Sequence, residues 1–203
     1  MHALGQVVSV PDAPDDADPA RLAAALNAQL GPRISVWDAE EVADDFHARF
    51  SARSRTYVYA LLLAPAPDPF LARTTLWHPG ALDVEAMNEA AGHLLGEHDF
   101  SSFGRVPEGG SPVRVLFELH AARAGALVRI KARANAFIQQ MVRSLAGTLI
   151  AVGEGRLEPG AVAEALAAKE RAAAGPVAPP HGLCLVAVEY DDSWKAPPGL
   201  REQ

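Results

Sequence analysis

The sequence predicts an α+β fold, a mainly antiparallel sheet with helices on one face. Two observations carry that expectation. Residues 113–132, VRVLFELHAARAGALVRIKA, alternate about a turn at Ala124-Gly125, the pattern of a β-hairpin. Elsewhere long strand-like and helix-like stretches alternate without the glycine fingerprint of a dinucleotide fold. With 203 residues, 49% of them hydrophobic, the chain can bury a sizeable core.

Taken in order, VVSV at 7–10 reads as a strand, and the Pro- and Asp-rich run at 11–20, which holds Asp12, Asp15 and Asp16, as a loop. Asp18 is expected to cap a helix with Pro19 in its first position, a stripe of Leu22, Leu26 and Leu30, and Gly31 at its end. ISVW (34–37) reads as a short strand, and SRTYVYALLL (54–63), rich in aromatic and branched residues, as a long one. Residues 82–100 predict a helix capped by Asp83, with Val84, Met87, Ala91, Leu94 and Leu95 inward and Gly96 as terminator. After the hairpin comes NAFIQQMVRSLAGTLIAVG (135–153), a strongly apolar helix that Asn135 can cap, with Gly153 just past its end. An Ala-rich helix over 158–175 and a strand over 182–190 follow, then a loose tail from Asp191 with Pro197-Pro198. No short-period repeat is visible.

The net charge of −7 at first argues against a nucleic-acid partner, but its distribution reverses the argument. Residues 1–46 hold 2 basic and 9 acidic side chains and residues 147–203 hold 5 and 8, whereas residues 47–146 hold 11 and 8. The local field governs binding of a polyanion, so a basic centre between acidic flanks leaves RNA or DNA open. Ordinary solvated faces would give the same counts. No apolar run reaches bilayer length, no basic-then-apolar leader is present, and the single Cys184 cannot form an internal disulfide. A cytoplasmic protein without membrane association is expected.

Two constellations could carry chemistry. In RFSARSRTYVY (49–59), an extended chain would place Arg49, Arg53, Arg55, Tyr57 and Tyr59 on one face. Guanidiniums hold phosphates and aromatic faces stack on unpaired bases; the plainer alternative is a half-buried strand with core tyrosines and solvated arginines. In the second, Arg143 stands in an apolar helix on a stripe with Ala136, Gln140 and Gly147, where small residues permit close backbone approach. Glu154 is the nearest acid along that helix. Arg143 is therefore either exposed or paired with a carboxylate from elsewhere in the fold. His93 and His98 miss metalloprotease spacing, and His120 and His181 stand alone. DFSSF (99–103) reads as a capped turn with two aromatic anchors, and Cys184 as a buried structural residue.

Five segments together resemble the tRNA pseudouridine synthases of the TruA type. They are DDFHARFSARSRTYVYAL (44–61), LDVEAMNEAAGHLLGEHDFSSF (82–103), ANAFIQQMVRSLAGTLIAVG (134–153), LAAKERAAAG (166–175) and APPHGLCLVAVEY (178–190), in the family's order and at about its spacing. The resemblance implies a pseudouridine synthase fold of two ferredoxin-like or RRM-like subdomains, usually in a homodimer. It implies isomerisation of uridine in the anticodon stem-loop of tRNA, with no metal or organic cofactor. It divides the chain into 1–45, the remainder of an N-terminal catalytic subdomain, 46–192, the C-terminal subdomain, and 193–203, a tail. Tyr57 matches the tyrosine that packs on the target base, Arg143 the arginine that pairs with the catalytic aspartate, and Leu183 an apolar wall of the pocket. Arg49, Arg53 and Arg55 are expected to bind the RNA.

In the family, the strand resembling HALGQVVSV is preceded by a G-R-T-D-A-G-V run that holds the nucleophilic aspartate. Met1 falls where its valine would be, so the nucleophile is expected to precede Met1, through a misplaced gene start or a real deletion. The first subdomain is then incomplete and the chain inactive as it stands. Asp44 and Asp45 are not good substitutes. A noncatalytic RNA-binding or dimerisation module derived from the family is the alternative.

Overall fold

In this computed structural model residues 1–11 and 17–191 are described. Asp12, Asp15 and Asp16 of the expected loop, and the tail with Pro197-Pro198, lie outside the described residues. The described chain divides into two units, Met1–Gln6 with Arg53–Val188, and Val7–Ala52 with Glu189–Asp191. The expected boundary after residue 45 thus falls inside the second unit, and the first six residues go with the larger one.

The larger unit is built on a seven-stranded sheet: β1 (His2–Ala3), β2 (Ser54–Leu63), β3 (Leu76–His78), β4 (Gly96–Asp99), β5 (Val113–Ala124), β6 (Leu127–Ala134) and β7 (Leu183–Glu189). The order is β1-β7-β2-β6-β5-β4, with β3 beside β2. The pairs β2/β6, β5/β6 and β4/β5 are antiparallel; β1/β7 and β2/β3 are parallel. The period-2 alternation of β6 decides what each face does. Val128, Ile130, Ala132 and Ala134 are buried beside Leu61 and Tyr59 of β2 and Leu119 and Ala121 of β5. Lys131, on the opposite face, pairs with Glu118 of β5 at 3.0 Å, and Arg133 lies 5.1 Å from the Phe117 ring centre.

Helices α2 (Val84–Gly92) and α3 (Met141–Gly153) pack on the apolar face, and α4 (Ala161–Ala168) packs against α2 and the turns at Ser101–Phe103 and Arg171–Ala173. They share one core cluster with the sheet, in which Met87, Leu94, Leu145, Leu149 and Val162 are fully buried. In α3 every residue except Arg143 is buried, so this helix is the centre of the unit. Among the described residues no helix is long and apolar enough to cross a membrane.

Several elements depart from the sequence expectation, each for a local reason. The helix expected over 82–100 stops at Gly92, because Gly96 takes a φ of +99° and the following residues pair with β5 as β4. The helix expected from Asn135 begins at Met141. Asn135 instead spends its side-chain oxygen on the Val115 and Ala136 N–H groups, and Gln139 exchanges backbone hydrogen bonds with Arg105. Gln140 then takes a left-handed φ of 68° immediately before the helix. The Ala-rich helix ends at Ala168, followed by Lys169 at φ 54° and a 3-10 turn at Arg171–Ala173.

The second unit contains α1 (Pro19–Leu30), capped as expected by Asp18, whose carboxylate accepts from the Ala20 and Arg21 N–H groups. None of its residues is buried, the Leu22, Leu26 and Leu30 stripe included. VVSV and ISVW form no strand. Asn27 holds the latter segment to α1 by giving its amide to the Val36 carbonyl at 2.8 Å and accepting the Val36 N–H at 2.6 Å. Tyr190 packs on Phe46 and donates its hydroxyl to the Ala48 carbonyl at 2.6 Å.

Candidate active site

Three separate elements of the larger unit converge on one cavity of about 340 Å³: Tyr57 from β2, Arg143 from the first turn of α3, and Leu183 from the start of β7. Phe137, Gln140 and Pro180 complete much of the wall, and Met1 borders it.

Tyr57 lies opposite Ala132 on the helix-covered side of the sheet. Its ring meets Phe137 edge-on, with centroids 5.2 Å apart and planes at 89°. Burial pushes its phenol pKa up, against the opposing charge of Arg55. Tyr59, two residues on, is not available to a ligand. It is fully buried and donates its hydroxyl to the Pro179 carbonyl at 2.9 Å. Burial pushes its phenol up to about 12, although the Arg143 charge works the other way.

Arg143 is half-buried. Its Nε donates to the Ala178 carbonyl at 2.6 Å, and the Ala178 N–H returns a hydrogen bond to the Arg143 carbonyl at 3.0 Å. Among the described residues no carboxylate pairs with it, and none lines the cavity. The small-residue stripe expected around it is only partly real, since Ala136 and Gln140 precede the helix. At Gly147 the close approach does occur: a Cβ there would run into the Pro176 carbonyl.

The five-residue face expected over 49–59 is broken by the backbone. Arg49 belongs to a turn of the second unit, with its guanidinium 5.5 Å from the Phe50 ring centre. Arg53 is exposed just before β2. Arg55 lies on β2, half-buried, and donates to the Asn135 carbonyl at 2.7 Å. That bond ties the strand to the segment leading into Arg143.

The remaining candidates have structural surroundings. His93 ends α2, His98 bonds the Leu95 carbonyl, and His120 faces Glu118. In DFSSF, Phe100 and Phe103 are fully buried and Asp99 accepts from Ser101. Cys184 is half-buried in β7, and burial raises its thiol pKa. Among the cavity residues that sequence reasoning did not single out are Phe137, Gln139 and Pro180. Phe137 falls within the helix expected over 135–153, and the irregular turn at 135–140 brings it to the cavity instead.

Residues 90–191 match the family model described as tRNA pseudouridine synthase. Relatives named tRNA pseudouridine synthase A match nearly the whole chain. The one from Rhodospirillum centenum is 47% identical over 94% of this chain and 78% of its own length. The one from Rhizobium leguminosarum is 44% identical over 95% of this chain and 73% of its own, and that from Burkholderia mallei 43% over 98% and 73%. The chain belongs to the tRNA pseudouridine synthase family. The matched span of this pseudouridine synthase family member holds Phe137, Arg143 and Leu183, and the longer alignments extend over Tyr57 as well.

Proposed function

We propose that this protein isomerises uridine to pseudouridine in the anticodon stem-loop of tRNA, and that the cavity between Tyr57, Arg143 and Leu183 receives the target base. The observation that carries this reading is the cavity itself: an aromatic ring, an apolar wall and a guanidinium with no carboxylate partner among the described residues, brought together from three elements. A uridine stacked in RNA has to be flipped out before its C1′ or C6 can be reached. Tyr57, backed by Phe137, offers the ring on which the base stacks, and Leu183 closes the apolar side. The raised phenol pKa leaves little phenolate at neutral pH, which favours stacking over proton removal as the role of Tyr57.

The chemistry needs an ionised aspartate as nucleophile, and a guanidinium beside it favours that form. Among the described residues no carboxylate lines the cavity, so the reading takes the aspartate from a part of the protein outside them. The same reading takes residues 1–45 as the remainder of a first ferredoxin-like subdomain, and the absence of any buried residue in α1 supports it. Arg49, Arg53 and Arg55 take phosphates of the RNA, and the enzyme works in the cytoplasm as a homodimer without a cofactor.

Tritium release from tRNA labelled at uridine C5 tests the proposal. The chain extended by its in-frame upstream sequence releases tritium, and Arg143→Ala abolishes release in the extended chain. Undiminished release by Arg143→Ala would defeat the reading. An upstream sequence without G-R-T-D-A-G would favour a noncatalytic RNA-binding module.

A further inference from the structure

We infer that residues 171–179 form a strap that sets the direction of the Arg143 guanidinium, with Arg171 and Thr148 as its positioning residues. The inference rests on the reading of Arg143 as a group that works in the cavity. The strap is anchored along its length. Arg171 donates to the Ala174 and Gly175 carbonyls, at 3.3 and 2.9 Å, and so closes the strap on itself. Thr148 of α3 accepts the Gly175 N–H at 3.0 Å, while its own hydroxyl donates to the Ser144 carbonyl at 2.8 Å. Pro176 then rests on Gly147, where no side chain fits, and Gly175 lies against the Thr148 backbone, where none fits either. Beyond that point Ala178 exchanges two hydrogen bonds with Arg143, and the Pro179 carbonyl receives the Tyr59 hydroxyl.

The consequence for Arg143 is geometric. A guanidinium is rigid and planar, so holding its Nε–H on the Ala178 carbonyl restricts the directions open to its fork at the cavity that Arg143 lines. An arginine without such a tether samples many rotamers, and ordering them on ligand binding costs free energy. The strap performs that ordering before any ligand arrives. Arg171 reaches Arg143 only through backbone carbonyls, which is why neither sequence spacing nor charge pattern reveals it.

The test is made on residues 1–203 by following exchange of the Arg143 Nε–H in nitrogen-15 NMR, with the resonance assigned by its loss in Arg143→Lys. Thr148→Val and Arg171→Gln are each expected to speed that exchange about tenfold, the effect of one lost hydrogen bond. Thr148→Ser restores protection, and the Leu145 and Leu149 amides of α3 stay protected throughout. Unchanged Nε–H exchange in both variants overturns the strap, as does an equal loss of protection at Leu145 and Leu149. If the Nε–H responds as expected while Arg143→Ala still releases tritium in the extended chain, the strap stands and the catalytic reading fails.

Discussion

Arg143 and Ala178 hold each other twice, side chain to carbonyl at 2.6 Å and N–H to carbonyl at 3.0 Å. This pair joins the buried helix α3 to the segment that leads into β7, the two elements that bring Arg143 and Leu183 to the cavity. Its geometry requires Pro176 to approach Gly147 more closely than any side chain allows. Gly147→Ala should therefore displace the segment and destabilise the protein by about 1–3 kcal/mol, as overpacking does. Urea unfolding measures the change; an unaltered midpoint would mean that the segment yields at no cost.

Tyr57 is expected to act through its ring. In a chain that carries the carboxylate, Tyr57→Ala should lose about 1–3 kcal/mol of base stacking, while Tyr57→Phe should react at nearly the parent rate. Tritium release at subsaturating tRNA distinguishes the two. A large loss in Tyr57→Phe would assign the phenol a proton to move.

Arg53 is the cleanest test of phosphate binding, because it is exposed and lies directly before β2. Arg53→Ala should weaken tRNA binding and make the log–log salt slope shallower by about 0.7–0.9, one phosphate contact. Arg49→Ala should do the same. Arg55→Ala should also cost stability, since its guanidinium holds the Asn135 carbonyl. Fluorescence titration with tRNA at several salt concentrations reads the slopes, and parallel lines for Arg53→Ala and Arg49→Ala would remove these arginines from the RNA interface.

Acid should loosen the junction between β3 and α3. Burial pushes the Glu154 carboxyl up, but hydrogen bonds from His78 and Arg156 outweigh it and its pKa lies below the ordinary value. A depressed carboxyl contributes stability that is fully present above its unfolded pKa, about 4.3, and is lost as pH falls through the folded one. Glu154→Gln should therefore lower stability at neutral pH and flatten its decline below about pH 5. Thermal unfolding across that range shows whether the two curves converge in acid.

Alkali should act through Tyr59 with the opposite sign. Its folded pKa is raised to about 12, so its contribution is fully present below the unfolded value of about 10 and is lost as pH rises through the folded one. Tyr59→Phe should cost about 1 kcal/mol at neutral pH, the bond to Pro179, and should weaken the alkaline dependence between pH 10 and 12. Identical alkaline curves for both proteins would place that dependence elsewhere.

The hairpin of β5 and β6, the long strand β2, the last strand β7 and the apolar run of α3 were legible in the sequence by itself, and so was the family. These rest on patterns that neighbouring residues impose on each other: alternation in strands, an apolar run in a helix, a glycine at a turn. Tertiary structure alone decided where the cavity lies. Residues 135–140 have helix-like composition, yet Arg105 and Val115 of β5 compete for their backbone and bring Phe137 and Gln140 to the cavity beside Tyr57. The strand β4 exists only because β5 offers it a partner. Tyr57 and Tyr59 read alike as a pair, and only packing separates a ring that lines a cavity from one sealed under the Pro179 carbonyl. Local pattern specifies elements; competition for backbone hydrogen bonds and for buried volume, between residues far apart in the chain, specifies the site.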